Sequence, residues 1–364
     1  MNILYLMHID WNWIKQRPQF IAEMIEKKSN HNLTVMYRVG YQRKKMVHND
    51  YFLTNKPVRI PRLPYSMNIL ILRINIIIES LFLKRKIRKS DVIYVTHPTF
   101  FPSIKHIQSK KIIYDCMDDV LGFPQSTMMR KLNNAYEKKL IKKADLTIFS
   151  AKFLQETVAQ RVIFPFRSVV INNAINIPQR EISHSVSLEN IFHISKKRII
   201  SYIGTIAEWF DYELLVRIAN KNKSLLFYIF GPTSIKFPPN ENIIFWGPQS
   251  HENIFYIMNK SDALIMPFQL NNLIRSVNPV KLYEYIYSGK PVISVRYEET
   301  EVFKDYVYLY DAGNIEDCLN IFATLEKKGY SAKASFKEST MFALSNTWEK
   351  RVIQLLNYIC LNTK

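Results

Sequence analysis

Short apolar runs alternate with longer amphipathic stretches along nearly the whole chain. The short runs are rich in Ile, Val and Leu, and they read as strands buried on both faces. The pattern predicts strands over 3–7, 33–39, 92–96, 112–115, 146–150 and 168–172. Helices are expected over 16–28, about 67–89, 127–143 and 151–160. The stretch 51–64 is broken by Pro57, Pro61 and Pro64 and reads as irregular. From 176 to 197 the alternation stops and the chain turns polar, with Pro178 and several serines. This is the expected interdomain linker. The rhythm resumes with strands at 199–204, 225–230, 243–246, 263–266 and 291–295, and helices at 211–221, 250–259 and 279–288.

Strands alternating with helices at this spacing imply parallel sheets with helices on both faces. Two such series predict an α/β chain of two Rossmann-like, doubly wound domains facing a cleft. Ligands of open α/β sheets bind beyond the carboxyl ends of the strands. The residues that follow each strand are therefore the ones to inspect.

The length of 364 residues suits two domains. The net charge of +19 is the unusual feature. It favours polyanionic partners: nucleic acid, anionic lipid headgroups or phosphorylated substrates. No nucleic-acid motif accompanies it. Cys116, Cys318 and Cys360 are too few and scattered for a disulfide framework or a zinc site, so free thiols in a reducing cytosol are expected. The opening MNILYLMHIDW lacks a basic leader and reads as a first strand, not a signal peptide.

Residues 68–83 are strongly apolar but contain Arg73 and Glu79, and are shorter than the roughly 20 residues that span a bilayer. Lys84, Arg85, Lys86, Arg88 and Lys89 follow. An apolar helix with a basic end suits an anionic membrane surface; a core helix with a solvated terminus is the other reading.

Three of the eight glycines, Gly204, Gly231 and Gly247, directly follow second-domain strands, where ligand can approach the backbone closely. The segment 275–294 carries the strongest chemistry. Pro279 suits a helix start, and the N–H groups of Val280, Lys281 and Leu282 would then form an anion site. Arg275 and Lys281 add charge beside it. Glu284, one turn on, could accept hydrogen bonds from a ribose diol. Diphosphate and ribose together describe a nucleotide sugar.

The string Pro279-Val-Lys281-Leu-Tyr-Glu284 through Gly289-Lys-Pro291-Val292 resembles the donor-site helix of group 1, family 4-like glycosyltransferases of the GT-B fold. Ser201–Thr205, Phe230-Gly231-Pro232, Phe245-Trp246-Gly247-Pro248 and 262–267 are similar to further donor-domain segments. Asp10-Trp11-Asn-Trp13 with Arg17 resembles enzymes of teichuronic-acid, capsule and other surface-glycan pathways. Residues 346–352 resemble a terminal helix that crosses back to the first domain.

The resemblance implies an acceptor domain over 1–175, a linker over 176–197, a donor domain over 198–345 and a terminal helix over 346–364. It implies donor contacts from Gly204, Thr205, Gly231, Pro232, Gly247, Pro248, Arg275, Ser276, Asn278, Pro279, Val280, Lys281, Leu282 and Glu284. Trp11, Trp13 and Arg17 are the expected acceptor contacts. No metal or cofactor is expected; a UDP-linked sugar would be the donor substrate. The implied reaction is hexosyl transfer to a lipid-linked or cell-surface glycan, with retention preferred to inversion. The protein would work in the cytoplasm, on the inner face of the plasma membrane.

Departures exist. Ser276 stands where many relatives carry a first glutamate, and 206–211 lacks the usual basic residues. In the first domain Asp115, Asp118 and Asp119 lie at a strand end, where acids suit general-base or charge-stabilising work. His97 and Asp10 are further catalytic candidates. A non-catalytic partner subunit and a nucleotide-sugar epimerase are the alternatives.

Overall fold

In the computed structural model, residues other than 14, 40–52, 65–67, 178–190, 193–196, 234 and 361–364 are described. The chain divides into one unit of Met1–Asn173 with Trp348–Lys364, and another of Ala174–Thr347. Most of the expected linker lies outside the described residues.

The first unit holds a parallel sheet of order β3-β2-β1-β4-β5-β6-β7. Its strands are β1 (Asn2–Met7), β2 (Asn32–Tyr37), β3 (Val58–Arg59), β4 (Val92–Val95), β5 (Lys111–Cys116), β6 (Leu146–Phe149) and β7 (Ser168–Val170). The helices are α1 (Arg17–Lys28), α2 (Ile69–Lys89), α3 (Phe101–Ile104), α4 (Thr127–Lys143) and α5 (Lys152–Ala159). Every residue of β4 and β6 is buried, which explains their unbroken apolar sequence. Leu83 and Ile87 of α2, Ile104 of α3, Leu140 of α4 and Leu154 of α5 join one core with Leu4 and Leu6.

The second unit holds a parallel sheet of order β10-β9-β8-β11-β12-β13. Its strands are β8 (Arg198–Ile203), β9 (Leu225–Phe230), β10 (Ile243–Gly247), β11 (Ala263–Met266), β12 (Val292–Val295) and β13 (Tyr308–Tyr310). Its helices are α6 (Tyr212–Lys221), α7 (His251–Lys260), α8 (Asn272–Arg275), α9 (Val280–Tyr287), α10 (Ile315–Lys327) and α11 (Phe336–Ser345). The final helix, α12 (Trp348–Cys360), belongs to the first unit. There Trp348 stacks on Phe20 of α1, with ring centroids 5.2 Å apart.

In each sheet the strand order reverses once, between β1 and β4 and between β8 and β11. These switch points are where open α/β sheets leave a crevice. The strands β3 and β13 and the helices α3, α8, α10 and α11 go beyond the elements expected from the sequence. The expected start of α9 shifts by one residue. Pro279 is the cap, in extended conformation, and Val280 opens the helix.

Candidate functional site

At the carboxyl edge of the first sheet the three aspartates take different roles. Asp115 is fully buried. It accepts from Arg17 Nε at 3.1 Å and Nη2 at 3.0 Å, and from Tyr94 Oη at 2.9 Å. Arg17 also donates to the Ile171 carbonyl at 2.8 Å and to Asn173. It is 4% exposed, and it ties the start of α1 to β5 and to the chain after β7. Asp119 is paired in bidentate fashion with Arg161, at 2.7 and 2.5 Å.

Asp118 differs from both. It is half-buried, and its carboxylate has no hydrogen bond or ion pair among the described residues. Burial pushes it up to about 7; Asp115 and Asp119 add to the rise, and Arg17 opposes it. Its carboxyl can therefore exchange a proton near neutral pH.

The other first-unit candidates divide in the same way. Asp10 accepts from the Asn12 backbone N–H at 3.0 Å, as a turn-forming aspartate does. Trp11 is 2% exposed and packs as core, whereas Trp13 is half-buried. His97 follows β4, half-buried, with its ring 4.7 Å from that of His8. Trp11 and Arg17 are thus absorbed into packing.

In the second unit, Gly204, Gly231 and Lys281 come together after the end of β8. Gly204 ends β8, and the Lys281 side chain runs across it. A Cβ on Gly204 would lie 2.2 Å from Lys281 Cε and 2.8 Å from its Nζ. Gly231, at φ +149°, packs on the same loop, where a Cβ would fall 1.7 Å from the Gly204 carbonyl oxygen. Only glycine leaves both backbones this close.

Lys281 has no hydrogen bond or ion pair among the described residues, only an electrostatic attraction to Glu284. Burial lowers it from the ordinary lysine range, and Glu284 offsets part of that. An unpaired cation beside a helix N-terminus is a site for an anion. Leu282 N–H already donates to the Pro279 carbonyl at 3.1 Å, so Val280 and Lys281 supply the open N–H groups.

Two sets of bonds hold α9 in place. Tyr285 Oη accepts from Ile203 N–H at 2.8 Å, which fixes the helix to the end of β8. Asn278 Nδ2 donates to buried Glu299 at 3.3 Å, while Tyr283 Oη donates to Asn278 Oδ1 at 3.2 Å. Ser276 is fully buried, and its hydroxyl donates to the Leu273 carbonyl at 2.7 Å. Arg275 forms an exposed ion pair with Glu298.

Thr205 and Pro248 are exposed and Pro232 is half-buried. Gly247, at φ +72°, accepts from Gly231 N–H at 2.9 Å. Phe245 is partly exposed and stacks on Phe237, centroids 5.4 Å apart. Such a surface suits a nucleobase. Among the described residues no group of three His, Cys, Asp or Glu stands close enough to hold a metal ion.

The family model of glycosyl transferases group 1 matches residues 188–340, nearly the whole second unit. The second unit is thus similar to group 1 glycosyl transferase domains. The TuaH protein of Bacillus subtilis (strain 168), assigned to teichuronic acid biosynthesis as a glycosyltransferase, is 24% identical over 279 residues. That match covers 71% of this chain and 69% of TuaH.

Among solved structures, sucrose-phosphate synthase from Thermosynechococcus elongatus superposes with a TM-score of 0.73 at 10% identity. It covers 99% of this chain and 98% of the synthase. Anabaena HepE in complex with UDP-glucose gives 0.69 at 12% identity, over 98% of this chain and 100% of HepE. The fold of the chain is GT-B: two Rossmann-like parallel-sheet units with a final helix returning to the first.

Within the second unit, sequence reasoning missed Tyr285, Tyr283 and Glu299. Tyr285 and Tyr283 fall on the buried side of α9, where an aromatic residue looks like ordinary core. Glu299 is distant in sequence, and only the sheet topology brings it to Asn278.

Proposed function

We propose that the chain transfers a sugar from a nucleotide-diphosphate sugar, UDP-linked, to a lipid-linked or cell-surface glycan. The observation that carries this reading is Lys281: an unpaired cation laid across Gly204 at the start of α9, with Glu284 one turn on. The diphosphate would lie on Lys281 and the N–H groups of Val280 and Lys281. Glu284 would take the ribose, and Phe245 the base. HepE, bound to UDP-glucose, shows that a protein of this fold can hold such a donor.

The acceptor is assigned to the first unit, with Trp13, His97 and Asp118 at its sheet edge. Retention follows from the family resemblance. Asp118 favours a second reading. Here the acceptor hydroxyl oxygen bonds to the anomeric carbon, the bond to the diphosphate breaks, and the hydroxyl proton passes to Asp118. That path inverts the anomeric centre. The anomeric configuration of the product distinguishes the two.

We place the reaction at the cytoplasmic face of an anionic membrane. The support is α2, which buries Asn75 and Glu79 while Leu70, Ile74, Ile77 and Leu81 stay 45–70% exposed. Positions 70, 74, 77 and 81 share one face of a helix, and the basic residues 84–89 follow it. No helix of the described residues is long and apolar enough to cross a membrane.

The direct test is to incubate the protein with a panel of nucleotide sugars in EDTA and follow release of the nucleotide diphosphate. Slow hydrolysis of one donor is expected without added metal, because a helix end and a lysine already meet the phosphates. Turnover that vanishes in EDTA and returns with magnesium or manganese would count against a metal-free site.

A further inference from the structure

The switch point of the first sheet is occupied by two histidines, His8 directly after β1 and His97 two residues after β4. The hydrogen bonds around His97 define its tautomer. The Thr99 backbone N–H donates to His97 Nδ1 at 3.3 Å, so that nitrogen carries a lone pair. Thr99 Oγ1 lies 2.8 Å from the same nitrogen and accepts from Arg38 Nη1 at 2.5 Å. The hydroxyl proton is therefore left for Nδ1.

Arg38 is clamped in turn by Glu79, through Nε at 2.9 Å and Nη2 at 2.8 Å. Its guanidinium lies over the Phe100 ring, 3.6 Å from the centroid. Glu79 is 1% exposed and takes a further bond from Ser103 Oγ at 3.0 Å. A neutral imidazole has one N–H, and with Nδ1 accepting it must be on Nε2. Burial holds His97 well below the ordinary histidine range, and His8, Arg38 and Arg62 push the same way. The ring is thus neutral near pH 7. Its Nε2 has no partner among the described residues.

A buried ion pair is a weak source of stability compared with apolar packing of the same volume. This one leads, group by group, to a ring nitrogen at the edge where ligands bind. We infer that Glu79, Arg38 and Thr99 are a positioning relay that holds His97 as a fixed Nε2–H donor to an oxygen of the sugar acceptor. The inference rests on the acceptor being bound by the first unit. It gives His97 and Asp118 opposite tasks: His97 donates a hydrogen bond, and Asp118 receives a proton. Fixing one imidazole nitrogen so that the other is correctly protonated is a general means of orienting a histidine.

Two measurements on the full chain test it. Two-bond proton–nitrogen spectra of histidine-labelled protein read the tautomer directly. Unprotonated Nδ1 and protonated Nε2 are expected for His97; the reverse overturns the relay whatever the activity. Transfer to a panel of n-octyl glycosides then tests the role. Thr99→Val should loosen the tautomer and lower kcat about tenfold, the loss of one oriented hydrogen bond, with donor KM unchanged. Thr99→Ser should restore both. A wild-type kcat in Thr99→Val, or an equal fall in Thr99→Ser, would overturn the positioning role. Should no variant transfer sugar, the acceptor assignment fails, while the spectrum still decides the relay.

Discussion

Asp118 makes the sharpest claim at the scale of single residues. Its carboxyl is held up to about 7, and it accepts a proton only when ionised. Activity should therefore rise with pH through about 7 and level off above it. Asp118→Asn should remove that limb and lower the rate by roughly 10²–10⁴-fold, the usual contribution of a positioned base. A flat profile across neutral pH would refute this assignment. The two glycines at the donor site make a contrasting pair. Gly204→Ala would press on the flexible end of Lys281, so the fold should survive while donor affinity falls about tenfold. Gly231→Ala would meet backbone at a positive φ and should cost roughly 1–3 kcal/mol of stability or more. Thermal melts and donor titrations of both variants separate the outcomes; equal melting temperatures would contradict the packing described. The donor string was legible because lysine, glutamate, proline and glycine stand close together in sequence. The sorting of Asp115, Asp118 and Asp119 was not legible. It depends on Arg17 and Arg161, which only the folded sheet brings near.

Among the elements, α2 is the least ordinary. Its sequence showed an apolar run with a basic end, but not which side faces outward. Asn75 bonds to the backbone of Leu63 at 2.7 and 3.1 Å, and Glu79 to Arg38. Those contacts turn the polar residues inward and leave the aliphatic stripe outside. Vesicle sedimentation should show binding to anionic lipid that weakens with salt, since each basic residue near such a surface adds about 1 kcal/mol. Replacing Lys84, Arg85, Lys86, Arg88 and Lys89 by glutamine should reduce binding strongly. Replacing Leu70, Ile74, Ile77 and Leu81 by serine should remove the salt-resistant part and leave donor binding intact. Equal binding to neutral and anionic vesicles would show that charge is not what holds the protein there.

For the whole molecule, the two parallel sheets were readable because strands buried on both faces are written as unbroken apolar runs. The end of the second unit was harder to read. There β13 is three residues long, and α11 buries only Ser339 and Ala343, which leaves little apolar pattern to read. The central claim is that the second unit binds a nucleotide-diphosphate sugar on Lys281 and Glu284. Calorimetric titration of UDP and UDP-sugars into the full chain and into Lys281→Ala and Glu284→Ala tests it most directly. Metal-independent binding is predicted for the wild type. Each substitution should weaken it by roughly 1.5–3 kcal/mol, the worth of a charge-assisted hydrogen bond, with melting temperatures unchanged. Donor affinity that is the same in both variants as in the wild type would contradict the account.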